Sequence, residues 1–257
     1  MLPKLLLSLC LALSTTLFVQ QPGNPTATAP AAPAPALEPP TPQTPSAPSP
    51  LSQATLDKIG KMIPLFDGNT LDGWESNSNA WMVKDGAMAS TGAGRGVIYT
   101  RRDYGNFRLI FDMRHVSGQP DHQACILIFC TRPPNDQKGL DARGGIQFQP
   151  PNGGHWDYRP GHNNGGGTEF TKLPHPKFDP QEWSQVELLV HAQRGAARMA
   201  VAQPVGSKSV EVLEFNEPSA GKSGPIAWQM HNKGLFDEYK DVRIETDPKE
   251  DRLITVE

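Results

Sequence analysis

The chain has 257 residues and a formal net charge of −3, with 24 Lys and Arg against 27 Asp and Glu. No stripe of Lys and Arg appears, which argues against nucleic acid as a partner. Once a non-globular N-terminal segment is set aside, about 185 residues remain, enough for one sizeable hydrophobic core.

The N-terminus has the pattern of a secretory signal. Residues 1–21 place Lys4 before an apolar stretch from Leu5 to Val19, which is shorter than the ~20 residues that cross a bilayer comfortably. The alternative is an uncleaved anchor, because no small-x-small cleavage site follows, and Cys10 is a poor match to a lipoprotein site. We therefore expect an exported protein that is periplasmic, secreted or attached to the cell envelope through its N-terminus.

Residues 22–51 read as a linker. Eleven prolines lie between positions 22 and 50, and Glu38 is the only charge. This composition favours extended polyproline II and predicts a semi-rigid spacer, or alternatively a disordered leader without a spacing role. A short helix with Ser52 as its N-cap is expected over 52–61, followed by one folded domain over 62–247.

The domain has the period-two pattern of an all-β fold. Phe107, Leu109, Phe111 and Met113 alternate with polar residues, whereas 125–130 is almost continuously apolar, as in a central strand covered on both sides. About ten short strands with Gly and Pro turns predict a β-sandwich or jelly roll. The predicted strands are 81–83 and 87–89 (a hairpin on Asp85-Gly86), 97–100, 107–114, 125–130, 145–149, 183–191, 199–202, 210–215, 226–231 and 239–245.

Cys125 and Cys130 are not expected to form a disulfide with each other. Five residues of strand separate them by ~16 Å, whereas a disulfide needs Cα atoms within ~7 Å. Two buried thiols are therefore predicted.

A long insertion interrupts the strands between Pro150 and Pro180. Such a connection in a compact domain is usually functional or disordered. Trp156 and Tyr158 favour function, because their rings could stack on the face of a sugar.

Three pairs of polar residues are candidates for a binding surface: Asp112 with Arg114, Gln147 with Gln149, and Gln229 with His231. Residues i and i+2 of a strand project from the same face. Three such pairs side by side would line a concave sheet with the donors and acceptors that a hydroxyl-rich ligand needs. The alternative is the solvated outer face of an antiparallel sheet.

Metal binding has weaker support. His155, Asp157 and His162 could ligate a divalent metal, although their spacing matches no metal signature and an exposed loop is the alternative interpretation. Asp67-Gly68-Asn69 resembles a calcium loop but lacks its twelfth-position Glu, so turn chemistry is expected. No nucleophile elbow, phosphate loop or zinc-protease helix occurs, and no carboxylate pair can be assigned to an ordinary glycosidase.

Two stretches of the chain resemble a known family. IPLFDGNTLDGW (63–74) with WMVKDG (81–86), and GPIAWQMH (224–231) with YKDVRI (239–244), resemble the opening and closing motifs of the 3-keto-disaccharide hydrolase domain family. YGNFRLIFDMR (104–114) is similar to the strand between them. The resemblance covers nearly all of 62–246.

This resemblance implies a concanavalin A-like sandwich of two antiparallel sheets in an exported protein that acts on glycosides oxidised at C3. A C3 ketone acidifies the C2 proton, so a base, a cation or metal for the enolate oxygen and an acid are needed. By position, His231 or Asp112 would be base or acid and Arg114 would stabilise the oxyanion. Gln147, Gln149 and Gln229 would hold sugar hydroxyls.

The chain departs from the family in its middle. The family's Glu-x-Gln strand stands as Gln147-Phe148-Gln149, and the Arg of the segment around 121–132 is displaced or absent. Gln cannot act as a general base or a strong metal ligand. The sequence therefore leaves three hypotheses open: a 3-keto-glycoside hydrolase or lyase, a catalytically silent carbohydrate-binding module on a Pro-rich stalk, and a surface interaction domain without a sugar ligand.

Overall fold

The structure, a computed structural model, describes residues 47–76, 79–118, 125–132 and 144–257. The predicted signal or anchor and all of the linker up to residue 46 lie outside the described residues. None of the described helices has the length and apolar character that a bilayer crossing needs.

Fifteen strands are present in the described residues, and they form two antiparallel sheets. In chain order the elements are α1 (Gln53–Lys61), β1 (Ile63–Pro64), β2 (Trp74–Ser76), β3 (Trp81–Lys84), β4 (Ala87–Ser90), β5 (Gly96–Thr100), β6 (Phe107–Ser117), β7 (Cys125–Ile128), β8 (Ile146–Gln149), β9 (Gly154–Asp157), β10 (Phe170–Lys172), β11 (Ser184–His191), β12 (Ala196–Ala202), β13 (Val210–Asn216), a 3₁₀ turn (Pro218–Ala220), β14 (Ala227–Met230) and β15 (Phe236–Thr246).

The large sheet has the order β10-β13-β12-β11-β6-β15-β4-β3, with β1 also paired to β15. The small sheet has the order β2-β5-β14-β7-β8-β9. The prediction of an all-β, concanavalin A-like sandwich of two antiparallel sheets is confirmed.

The core lies between the two sheets. From β6 it receives Phe107, Leu109, Phe111 and Met113, the set predicted to share one face. Strand β7 is buried on both sides, as expected, because Ile126 and Ile128 face the core while Leu127 belongs to a separate apolar cluster on the outer side.

Local sequence signals explain several connections. Asp85 and Gly86 both have positive φ, 50° and 78°, as the two-residue turn of the β3–β4 hairpin requires. Ser52 accepts a hydrogen bond from the Thr55 N–H at the start of α1. Cys125 and Cys130 are buried and form no disulfide with each other, as predicted.

The insertion between Pro150 and Pro180 is more regular than its composition suggested. It contains β9, which extends the small sheet, and β10, which forms an edge of the large sheet. Phe170 of β10 is buried and stacks on His155 of β9, with ring centroids 4.1 Å apart. These strands were missed because they are three or four residues long and flanked by Gly and Pro, too short to show a period.

The chain after residue 247 packs on the outer face of the large sheet. Buried Glu187 accepts hydrogen bonds from the Ile254 N–H at 3.0 Å and from the Thr255 N–H at 2.8 Å. Buried Arg108 lies 2.8 Å from Glu187 and donates to the Arg252 carbonyl, also at 2.8 Å. This ion pair therefore fixes the C-terminal segment to the sheet.

Candidate functional site

The three polar pairs do not meet in one cavity. Asp112 and Arg114 lie on β6 of the large sheet, whereas the 147/149 and 229/231 pairs lie on β8 and at the end of β14 in the small sheet. All alternate with core residues, so each pair points away from the core on its own sheet. The predicted convergence is wrong because strand parity determines the face of a sheet but not the sheet.

The two pairs on the small sheet do come together. Gln149 Nε2 donates to Gln147 Oε1 at 2.6 Å, and Gln147 Nε2 donates to Gln229 Oε1 at 2.8 Å. His231 Nδ1 lies 3.3 Å from the same Gln229 oxygen. We call these four residues the amide network. Its two inner members, Gln147 and Gln229, are buried.

The amide network determines the tautomer of His231. Gln229 Oε1 accepts from Gln147 and cannot donate, so His231 Nδ1 must be the protonated nitrogen of the bond. In the neutral ring, Nε2 is then the basic nitrogen. Gln229 Nε2 is buried and has no hydrogen-bond partner among the described residues.

The network spans β7, where Leu127 lies opposite Gln147 and Cys125 lies opposite Gln229. Cys125 pairs with Gln229 on one side, and its neighbour Ile126 pairs with Phe148 on the other, so the two glutamine strands are separated by about 10 Å. Burial raises the pKa of the Cys125 thiol, and the charge of Asp237 raises it further.

A cleft of about 540 Å³ opens on this outer face of the small sheet. It combines the exposed end of the amide network with the aromatic residues of the insertion. Its lining residues are Arg95, Gln149, Gly154, His155, Trp156, Tyr158, Asn163, Gly165, Lys172 and His231.

Trp156 and Tyr158 form an aromatic wall of the cleft. Their ring centroids are 6.1 Å apart, and Trp156 Nε1 donates to Asn163 Oδ1 at 3.2 Å. Burial raises the pKa of Tyr158, and an interaction with the Gln147 amide and the charge of Arg95 lower it in part. The phenol is therefore protonated at neutral pH and available as a donor.

Sequence reasoning missed two cations of the cleft. Arg95 follows a glycine-rich turn and precedes β5, where Gly96 pairs with Met230 and brings Arg95 opposite His231. Lys172 ends β10, which was hidden in the insertion. The one signal in the sequence that could have indicated a cation at the site was Arg95 itself, a basic residue between Gly94 and Gly96 at the start of a strand.

A comparison with known families identifies the chain. Residues 61–245 match the family described as the 3-keto-alpha-glucoside-1,2-lyase-like domain. The chain belongs to this family. The membership confirms the predicted resemblance and indicates a carbohydrate-related function. No curated protein matches the chain.

Solved structures similar to this 3-keto-alpha-glucoside-1,2-lyase-like domain support the fold. A candidate glycosyl hydrolase from Parabacteroides distasonis ATCC 8503 superposes with a TM-score of 0.53 at 16% identity, covering 79% of this chain and 100% of its own. The carbohydrate-binding module CBM66 from Bacillus subtilis has a TM-score of 0.51 at 10% identity, with 72% and 98% covered. At these identities the likeness shows the shared sandwich alone.

The outer face of the large sheet of this lyase-like domain holds Asp112 and Arg114. Arg114 lies 2.8 Å from Glu238 and its guanidinium lies over the Trp183 ring, 4.8 Å from the centroid. Burial raises the pKa of Asp112 to about 6, with a further rise from the charge of Asp241. Neither residue can reach a ligand in the cleft from the opposite face of the sandwich.

Two of the three candidate metal ligands are neighbours in this domain. His162 Nδ1 lies 3.3 Å from Asp157 Oδ2, and Glu169 completes a group of three. His155 instead stacks on Phe170. The positive charge beside the carboxylates comes from Arg159, 2.6 Å from Asp157 and 3.8 Å from Glu169.

Arg159 also explains the titration of Asp157. Burial raises the pKa of this carboxyl, but hydrogen bonds from Arg159 outweigh burial and hold the pKa below its ordinary value. Since the guanidinium already pairs with both carboxylates, we interpret the cluster as an ion-pair network that anchors the segment carrying Tyr158, rather than as a metal site.

Proposed function

We propose that this chain binds a glycoside in the cleft on the small sheet and acts on glycosides oxidised to a ketone at C3. The observation that carries the proposal is the position of His231, which lines the cleft while its Nδ1 atom is held by the amide network. Membership of the 3-keto-alpha-glucoside-1,2-lyase-like family supports the substrate class.

The cleft has the features of a sugar site. Its aromatic wall offers a flat apolar surface to a sugar ring, and Gln149 and Asn163 offer amides to hydroxyl groups. The amide network keeps Gln149 in place because its Nε2 atom is engaged by buried Gln147. The Gln149 amide is therefore preorganised before a ligand arrives.

The proposed chemistry is elimination from C1 and C2 of the sugar. His231 Nε2 removes the C2 proton, and the electrons of the C–H bond form an enolate with the C3 ketone. The enolate then re-forms the ketone as the C1–C2 double bond forms and the bond from C1 to the leaving oxygen breaks. The leaving oxygen takes up the proton that His231 received and departs as an alcohol. The protonated Tyr158 hydroxyl donates a hydrogen bond to the enolate oxygen, and addition of water across the double bond completes a hydrolysis.

A catalytically silent carbohydrate-binding module is the second candidate. Two observations favour it. Gln147 stands where the family pattern has a carboxylate, and the described residues that line the cleft include no Asp or Glu. The three glutamine amides of the network hold hydroxyls but cannot accept a proton.

Hydrogen–deuterium exchange at C2 separates the two candidates. The full chain is incubated with a methyl 3-keto-glucoside in D₂O, beside the variants His231→Ala and His175→Ala, and exchange is followed by NMR. His175 is half-buried and does not line the cleft, so it is the matched control. Exchange that is lost only in His231→Ala supports the lyase; binding without exchange supports the module; neither binding nor exchange would overturn both.

A further inference from the structure

The cleft carries a positive charge that its neutral-sugar role does not require. Arg95 and Lys172 both line it, and the described lining residues include no Asp or Glu. The whole chain is acidic, with a net charge of −3. The two cations therefore place positive charge at the cleft of a protein whose overall charge is negative.

Neither cation is engaged elsewhere in the part of the chain that the structure describes. Three other arginines of the domain are held in short ion pairs: Arg108 with Glu187, Arg159 with Asp157 and Arg198 with Glu211. Arg95 and Lys172 form no such pair with a described residue. Both are exposed at the rim of the cleft.

The charges of both cations are felt inside the cleft. Arg95 lowers the pKa of Tyr158, against the larger effect of burial. Burial lowers the pKa of His155 and the charge of Lys172 lowers it further, while backbone hydrogen bonds at Gly153 and Gly165 and the charge of Glu169 raise it in part. The two cations thus flank the cleft from different strands, Arg95 before β5 and Lys172 at the end of β10.

From this arrangement we infer that the sugar bound in the cleft is anionic, carrying a carboxylate or a sulfate group that faces Arg95 and Lys172. The inference rests on the proposed sugar site and adds its substrate class. A low-dielectric concave surface concentrates the field of its lining charges, so two unpaired cations select an anion over its neutral analogue. Uronate residues and sulfated sugars share this chemistry.

The test compares three probes by calorimetry with the full chain: methyl glucuronoside, glucose 6-sulfate and methyl glucoside. At low salt the better anionic probe should bind at least about threefold more tightly than methyl glucoside, the size expected for partly exposed ion pairs. Its advantage should fall towards one in roughly 0.5 M NaCl, where charges are screened. The stronger of the two anions identifies the carboxylate or the sulfate as the group recognised.

Three variants make the result specific to the cleft. Arg95→Gln and Lys172→Gln should each reduce the ratio of anionic to neutral affinity, while Lys208→Gln, an exposed lysine outside the cleft, should leave it unchanged. Melting curves verify that all three fold. Equal affinity for charged and neutral probes would overturn the anionic inference and leave the sugar site standing, whereas no binding of any probe would count against both.

Discussion

The Gln147 side chain donates to Gln229 at 2.8 Å across the width of β7, and both residues are buried. The bond joins two strands that are not neighbours in the small sheet, because β7 lies between them. It connects Gln149 on one side to His231 on the other. The amide network therefore couples the positions of Gln149 and His231, and the effect of this coupling on ligand binding can be tested.

Gln147→Leu should disrupt the amide network. The substitution leaves Gln229 Oε1 without its buried donor, which costs about 1–3 kcal/mol of unfolding free energy. Glycoside affinity should fall about tenfold or more, because Gln149 loses its anchor. Calorimetric titration and chemical denaturation measure the two effects. Gln185→Leu, a buried glutamine on the large sheet, is the control that should change stability alone; an equal loss of affinity in both variants would contradict the assignment.

Trp156→Ala should weaken glycoside binding without unfolding the domain. Trp156 is half-buried and lines the cleft, so its removal deletes a stacking surface while the core stays intact. We expect about a tenfold loss of affinity. Replacing an aromatic side chain that stacks on a nucleic-acid base with alanine costs roughly 1–3 kcal/mol of binding free energy, and we expect a similar contribution from a sugar ring. Trp183→Ala removes a half-buried tryptophan from the opposite face of the sandwich and is the control. Its glycoside affinity should not change, and an equal loss in the two variants would contradict the prediction.

Asp112 should make the domain less stable as pH rises. Its pKa in the folded state is raised to about 6, whereas the ordinary value is 3.8. The folded state therefore binds more protons than the unfolded state between about pH 4 and pH 6, and stability falls through that window. Above it the penalty is complete, on the order of 2–3 kcal/mol.

Asp112→Asn removes this titration and keeps the amide oxygen as an acceptor. The variant should be more stable than the wild type at pH 8 and lose that advantage below about pH 4, as urea denaturation across pH would show. Glycoside affinity should not change, since Asp112 lies on the face opposite the cleft. A large loss of binding in this variant would restore Asp112 as a site residue.

Arg108→Met should destabilise the domain more than the loss of an exposed ion pair. The substitution leaves the buried Glu187 carboxylate without its cation, for which about 3–5 kcal/mol is typical. Proteolysis near the C-terminus should accelerate, because the segment around Ile254 is held by the same carboxylate. Arg194→Met, which breaks the exposed pair with Asp251, should leave the free energy of unfolding almost unchanged. Similar losses of stability in the two variants would argue against a special role of the buried Arg108–Glu187 pair.

The sequence alone was sufficient for the architecture. Alternation in 107–114, the apolar run at 125–130 and the Asp85-Gly86 turn depend on neighbours one to four positions apart, and period-two burial follows from backbone geometry. The motifs at 63–74 and 224–231 were sufficient for the family. The same parity also predicted correctly that each polar pair would face away from the core.

Tertiary structure decided which of those pairs share a surface. Asp112 has the same parity as Gln147 and Gln229, but β6 belongs to the large sheet, and sheet membership depends on long-range pairing that no local pattern records. Arg95 and Lys172 reach the cleft for the same reason, from turns and a three-residue strand that are far apart in the chain. Side-chain direction is a local property of a strand, whereas the meeting of side chains is a property of the whole fold.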